Sequence, residues 1–212
     1  MSPAPTDSRT RLLDAALATI RRKGYAATTV DDLCAAAGLS KGSFFHHFKS
    51  KEDLALAAAQ HWSDGTGALF ANAPYQHVAD ARERLLAYID FRAALAQGDL
   101  PEITCLLGTL AQETYATHPA IREACRAGIE GHAMTLVPTI AEAKARHAPR
   151  AKWTPESLAL FTQAALQGAF VVAKAAGDAK AAAPLIAHLR AYVQGLLGGE
   201  PVARTPRRRT PR

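Results

Sequence analysis

The chain has 212 residues, 49% of them hydrophobic, and a formal charge of +6. This length and apolar content suit one large or two small folded domains with a real core, and they exclude a chain that is disordered throughout. No stretch approaches the roughly 18 uninterrupted apolar residues of a membrane span, and "MSPAPTDSRTR" lacks an apolar signal segment, so a soluble, cytoplasmic protein is expected.

Charge is distributed unevenly. Residues 1–53 carry 8 basic and 6 acidic side chains, residues 54–198 carry 12 and 12, and residues 199–212 carry 5 and 1. A basic excess at the ends is an electrostatic footprint for a polyanion, although the tail arginines, Arg204, Arg207, Arg208, Arg209 and Arg212, equally suit a solvated end. Cys34, Cys105 and Cys125 are odd in number and lack C-x-x-C spacing. Neither a disulfide framework nor a zinc site is expected, and buried, reduced thiols are.

Ala, Leu, Arg, Glu and Gln recur at helical spacing where strands would need alternating β-branched and aromatic residues, so the fold class is all-α. The first helix starts near Thr6 or Asp7 and stops at Gly24, with Leu12, Leu13, Ala16, Leu17 and Ile20 on one stripe. Thr29 caps a second helix that ends at Gly38, and Ser40 caps a third that ends near Phe48. Ser50 with Asp53 opens a fourth. Two short helices joined by Gly38-Leu39-Ser40, behind a longer supporting helix, match a helix-turn-helix unit. Long amphipathic helices follow over 51–70, 77–97, 101–117, 119–146, 155–176 and 179–197, with Thr154 as cap and Pro155 at the first position of the helix over 155–176. Residues 199–212 form a basic, disordered tail.

The third helix decides the chemistry. At 100° per residue Phe44 and Phe48 share one inward face, while Gly42, Ser43 and His46 lie opposite and Phe45 and His47 flank them. His46 and His47 diverge by about 100° and cannot chelate one ion, so no metal is expected. Lys41, Lys49 and Lys51 meet no acidic residue between Gly38 and Lys51. A helix of this kind enters the DNA major groove, with Gly42 permitting close approach of its backbone.

"TTVDDLCAAAGLSKGSFFHHFKSKEDL", residues 28–54, resembles the DNA-binding signature of TetR-family transcriptional regulators. The resemblance implies a dimeric, ligand-responsive regulator, usually a repressor, with DNA binding in residues 1–53 and ligand binding and dimerisation in residues 54–198. It further implies that Thr29 and Lys51 hold phosphates, that Lys41, Gly42, Ser43 and His46 lie at or near bases, and that Ser40 belongs to the same DNA-binding set. Phe45 and His47 would run along the backbone. Phe45 departs from the usual Tyr, which loses one possible phosphate bond worth about 0.5–1.5 kcal/mol, and Cys34 replaces a usual Ala.

The same resemblance places a homodimer interface in the last two helices, about residues 155–197, and a palindromic double-stranded DNA operator as the partner. Small residues at Ala164, Ala165, Gly168, Ala169 and Ala173 suit close helix packing there. Candidate ligand residues for an unknown small-molecule effector are Trp62, Tyr88, Phe91, Cys105, Tyr115, His132, Phe161 and Lys174, each with core packing as its bland alternative. Cys105 with a cation such as Lys174 would suit an electrophile or redox sensor. Two further classes are weighed. An enzyme lacks support, because G-x-S-x-G, P-loop, G-x-G-x-x-G and H-E-x-x-H patterns are absent and no cofactor is implied. A non-specific DNA-coating protein would carry basic residues throughout, yet residues 54–198 are neutral.

Overall fold

The computed structural model describes residues 7–198, and every regular element in that range is helical. The expected tail and the alternative Thr6 cap lie outside the described residues. Helix α1 (Ser8–Lys23) begins where the Asp7 carboxylate accepts the Thr10 amide, and ends at Gly24 with φ +86°. α2 (Val30–Ala37) carries a full capping box between Thr29 and Asp32 and stops at Gly38, in the left-handed region that favours glycine. α3 (Lys41–His47) is capped by Ser40 and α4 (Lys51–Ala71) by Ser50. Local chemistry alone therefore marks the start of all four helices.

Beyond α4 the boundaries shift from those expected. The helix expected from residue 77 starts four residues later, because a 3-10 turn, Pro74–His77, ends there and α5 (Ala81–Leu95) begins behind the Asp80 cap. The helix expected over 101–117 is two, α6 (Leu100–Ile103) and α7 (Leu106–Thr114). Thr104 and Cys105 between them are extended, and the Thr104 hydroxyl turns back to the Pro101 carbonyl. The helix expected over 119–146 also divides, into α8 (Pro119–Met134) and α9 (Val137–His147). Pro138 has no amide to give to a continuous helix, so it sits in the first turn of a new one. α10 (Pro155–Ala176) begins at the Thr154 cap as expected, and a 3-10 turn, Ala179–Ala181, leads into α11 (Ala182–Leu196).

Two buried clusters hold these helices. The first joins Leu12, Ile20, Leu33, Phe44, Phe48 and Leu54 to Leu106, Leu110, Ile121 and Cys125, so α1–α4 rest on α7 and α8. The second joins Leu85, Ile89, Ile140, Leu166, Ile186 and Val193 from α5, α9, α10 and α11. Each fully buried Leu, Ile or Phe contributes about 1.5–3 kcal/mol of transfer free energy. The helices α7 and α8 thereby form the shared floor between the N-terminal unit and the rest. α10 is long and apolar enough by length and composition to cross a membrane, with mean hydropathy 1.3 over its best window, but 44% of that window is buried inside the fold.

Candidate nucleic-acid interface and ligand cavity

α3 presents two chemically distinct faces. Phe44 is fully buried and Phe48 nearly so, whereas Phe45 is 56% exposed and Lys41, Gly42 and His46 are exposed beside half-buried Ser43. The helix is held from below by Phe44 and Phe48, which pack on each other and enter the buried cluster with Leu12, Leu33 and Leu54. The turn before it is held by Arg11, which donates to the carbonyls of Ala37 and Gly38. Arg11 was not singled out in the sequence, because its partners lie 26 and 27 residues away. A rigid turn and a small-residue outer face leave room for another surface to approach.

The flanking groups are engaged within the chain. The Thr29 hydroxyl donates to Asp32 Oδ2 at 2.6 Å while accepting the Asp32 amide, and the Thr29 amide donates to the same carboxylate. Lys23 adds an ion pair to that carboxylate at 2.5 Å, and together these bonds hold the Asp32 carboxyl well below the usual range. Lys41 pairs with Asp31 at 2.8 Å on the exposed surface. Lys51 donates to the carbonyls of Tyr25 and Thr28 and lies 4.3 Å above the Tyr25 ring, so two of its three donors tie the loop that precedes Thr29. The imidazole of His47 bonds Ser8 at 2.6 Å, and the Ser40 hydroxyl caps Ser43.

The second region encloses a cavity of about 420 Å³ between α4, α5, α7, α8 and α10. Of the residues proposed from sequence for a ligand site, Trp62, Cys105 and His132 line it. Tyr88 is buried and bonds the lining groups His132 and Gln163 at 3.0 and 2.8 Å. Phe91 packs on Phe70 and Tyr75 instead of the cavity. Tyr115 is 63% exposed, and Phe161 lies on the outer face of α10, stacked on Tyr192 at 5.0 Å. Burial, followed by the charge of Arg92, lowers His132 to about 4, so its ring is neutral at pH 7. Gln163 and Arg92 were missed in the sequence, where the visible signal was a polar side chain set into an apolar helical run.

Lys174 lies outside this cavity, in a neighbouring cleft shared with Arg21, Arg22, Lys23 and Glu113. It donates to Thr109 Oγ1 at 2.7 Å, and Thr109 donates in turn to the Cys105 carbonyl. Burial lowers its pKa, opposed by the nearby Glu113 and Cys105. Cys105 is half-buried at the start of α7, while Cys34 and Cys125 are buried. Burial pushes the Cys125 thiol up to about 12, which leaves it inert at neutral pH. At the other end of α7, the Glu113 carboxylate accepts the Ala26 amide at 2.9 Å and fills the space beside Gly24, where a Cβ would fall 2.4 Å from Glu113 Oε1. Glu113 also acts electrostatically on both Lys51 and Lys174. No group of three or more potential metal ligands occurs among the described residues.

Comparison with known proteins places these two regions in context. The family model described as "Bacterial regulatory proteins, tetR family" matches residues 12–58, and that described as "Tetracyclin repressor-like, C-terminal domain" matches residues 81–189. The chain is 38% identical over 56 residues to the uncharacterized HTH-type transcriptional regulator YerO of Bacillus subtilis, covering 26% of this chain and only 19% of YerO. It is 29% identical over 167 residues to the transcriptional regulator AcuR of Cereibacter sphaeroides, covering 77% of this chain and 74% of AcuR. The crystal structure of a TetR transcriptional regulator from Chloroflexus aurantiacus J-10-FL superposes with a TM-score of 0.75 at 29% identity, covering 88% of this chain and 94% of that one.

Proposed function

The chain belongs to the tetR family of bacterial regulatory proteins, and from that premise we propose that it is a cytoplasmic repressor that binds a palindromic operator as a homodimer and leaves it when a small molecule occupies the cavity. The observation that carries this reading is the two-faced α3, whose Phe44 side is sunk in the core while Lys41, Gly42, Ser43 and His46 face outward. Ser43 and His46 reach base edges in this arrangement, with Phe45 and His47 along the sugar–phosphate backbone. Ser40 sets the angle of entry by capping the helix. Thr29 meets a phosphate only by giving up a bond to Asp32, whereas Lys51 has its third N–H left for one. Residues 1–53 serve DNA binding and residues 54–198 serve ligand binding and pairing.

Pairing is supported by an unpartnered apolar face. Six of the eleven large apolar side chains that are exposed among the described residues, Leu160, Phe161, Val171, Val172, Leu185 and Tyr192, lie on α10 and α11. Two copies joined there would set two α3 helices about one DNA turn apart, roughly 34–36 Å, which demands a near-palindromic site. Footprinting on the promoter beside its own gene tests the whole: one protected palindrome is expected, and uniform protection or none refutes it. Exchanging Ser43 or His46 should change operator preference; unchanged selectivity in both variants rejects the proposed groove face.

A second reading is favoured by one observation, the half-buried Cys105 at the cavity wall with Lys174 and Arg21 near enough to act on it electrostatically. The sulfur would add to the β-carbon of a conjugated carbonyl compound, the C=C π pair would move onto the carbonyl as an enolate, the proton lost from the thiol would be returned to that enolate, and the adduct would occupy the cavity. Release of DNA by a quinone or an unsaturated aldehyde should then be lost in Cys105→Ser, and unchanged release ends this reading.

A further inference from the structure

The cavity holds one cation that no acid among the described residues accounts for. Four ionisable side chains line it, Arg92, Glu102, Cys105 and His132, and of these only Arg92 and His132 can carry a positive charge. The imidazole is neutral, as shown above. Glu102 has its own counter-charge, because Arg21 donates to its backbone carbonyl at 3.0 Å and feels its carboxylate. Arg92 has no such partner among the described residues. Its guanidinium lies over the ring of Phe70 at 5.2 Å and near that of Phe170 at 5.8 Å, and its one recorded hydrogen bond is a long 3.5 Å contact to the Tyr88 hydroxyl. Aromatic faces orient a guanidinium without using its N–H groups, so the donor edge stays available.

We propose that the cavity takes a small, mainly apolar monocarboxylate, with the carboxylate paired to Arg92 and the apolar body laid along Trp62, Phe70, Leu107 and Phe170. This assignment rests on the reading of the cavity as the effector site and specifies which molecules enter it. The geometry suits the class in three ways. A volume of about 420 Å³ lies at the small end of ligand cavities and fits a body of one ring or a short alkyl chain. A planar, forked donor set matches a carboxylate with two parallel N–H···O bonds, a match a neutral amide cannot make twice. Gln163, buried and already donating to Tyr88, adds polarity at the same end without adding charge. A dicarboxylate would leave one charge unpaired in the apolar part, and a cationic ligand would face Arg92 directly, so both are excluded by the same arrangement.

Binding to the full chain is measured with two matched pairs of probes, trans-cinnamate against trans-cinnamamide and octanoate against octanamide, by calorimetry and by the fluorescence of Trp62. The acids are expected to bind at least about tenfold more tightly than their amides. Arg92→Gln should remove that preference, and Arg92→Lys should restore part of it. The unfolding midpoint and helical content of each variant, together with its affinity for the amides, separate loss of the anion contact from loss of the fold. Equal binding of acid and amide, no saturable binding of either acid up to about 1 mM, or an acid preference that survives in Arg92→Gln would each overturn the assignment. Release of DNA distinguishes this result from failure of the broader reading: acids that bind through Arg92 but leave DNA binding intact sink the effector-release reading and keep the ligand class. Amides that bind and release DNA while acids do not have the opposite meaning.

Discussion

The helices up to residue 71 and those beyond it are held in different ways. Asp7, Thr29, Ser40 and Ser50 each accept an amide from the first turn of the helix they precede, so all four early helices have a side-chain cap. Beyond them Asp80 and Thr154 do the same for α5 and α10, while α6, α7, α8, α9 and α11 begin with no side-chain cap bond. Each such cap stabilises its helix by about 0.5–2 kcal/mol. The N-terminal unit is therefore specified locally, turn by turn, and its positions are fixed before any partner arrives. The larger region depends on packing around a cavity, and helices fixed by packing alone are those a ligand can move at small cost. On the proposed reading, DNA recognition and ligand response would rest on different kinds of stabilisation.

The contrast is broken most severely by Phe44→Ala. It should cost about 3–5 kcal/mol, seen as a lower denaturant midpoint, and abolish DNA binding, because the ring is fully buried beneath the helix that reads. The second effect belongs to the cavity side and to pH. His132 titrates near 6.5 when unfolded and near 4 in the fold, so between these values the unfolded chain binds a proton that the folded chain refuses. Stability should be complete above pH 6.5 and fall progressively toward pH 4, by about 3 kcal/mol at most from this group. His132→Gln should flatten that part of the wild-type profile in urea titrations, and an unflattened profile assigns the loss to other groups. The smallest effect sharpens the comparison instead: Ser40→Ala should cost about 1 kcal/mol in stability. Its loss in operator affinity should exceed what the same stability loss produces when placed in α11, since only the former frays the reading helix. Equal losses would mean that caps and packing matter alike to reading.

How much of this was legible in the sequence follows the same division. Caps are local, so Thr29, Ser40, Ser50 and Thr154 were visible as helix starts, and the 100° step placed Phe44 and Phe48 inside and Phe45 outside. Long-range partners were not visible. Nothing near Lys51 in the chain reveals that its ammonium lies on the carbonyls of Tyr25 and Thr28, 26 and 23 residues earlier. Aromatic type and helical spacing could not separate Trp62, which lines the cavity, from Tyr115 and Phe161, which do not, because inward and outward faces of a multi-helix packing are set by neighbours. The break at Thr104–Cys105 had no Pro or Gly to announce it, whereas Pro138 carried a signal for the break between α8 and α9 that the expected 119–146 helix passed over.

Gly24 is one of the places where the two regions touch. Its φ of +86° and the Glu113 carboxylate filling the space where a Cβ would stand leave no place for a side chain. The same carboxylate holds the Ala26 amide and lies in the field of Lys51 on one side and Lys174 on the other. Heredity thus has a one-methyl route to a change of behaviour that touches neither chemistry. Gly24→Ala strains the cap of α1 as well as pushing the carboxylate off the loop, so its unfolding midpoint is measured first, and the hypothesis it carries is that the folded variant still binds operator and ligand while the ratio of DNA affinities with and without ligand moves toward one. A ratio that stays at the wild-type value would place the conversation between the regions elsewhere. If it falls, regulators of this build can lose or regain responsiveness in a single mutational step, with both vocabularies preserved.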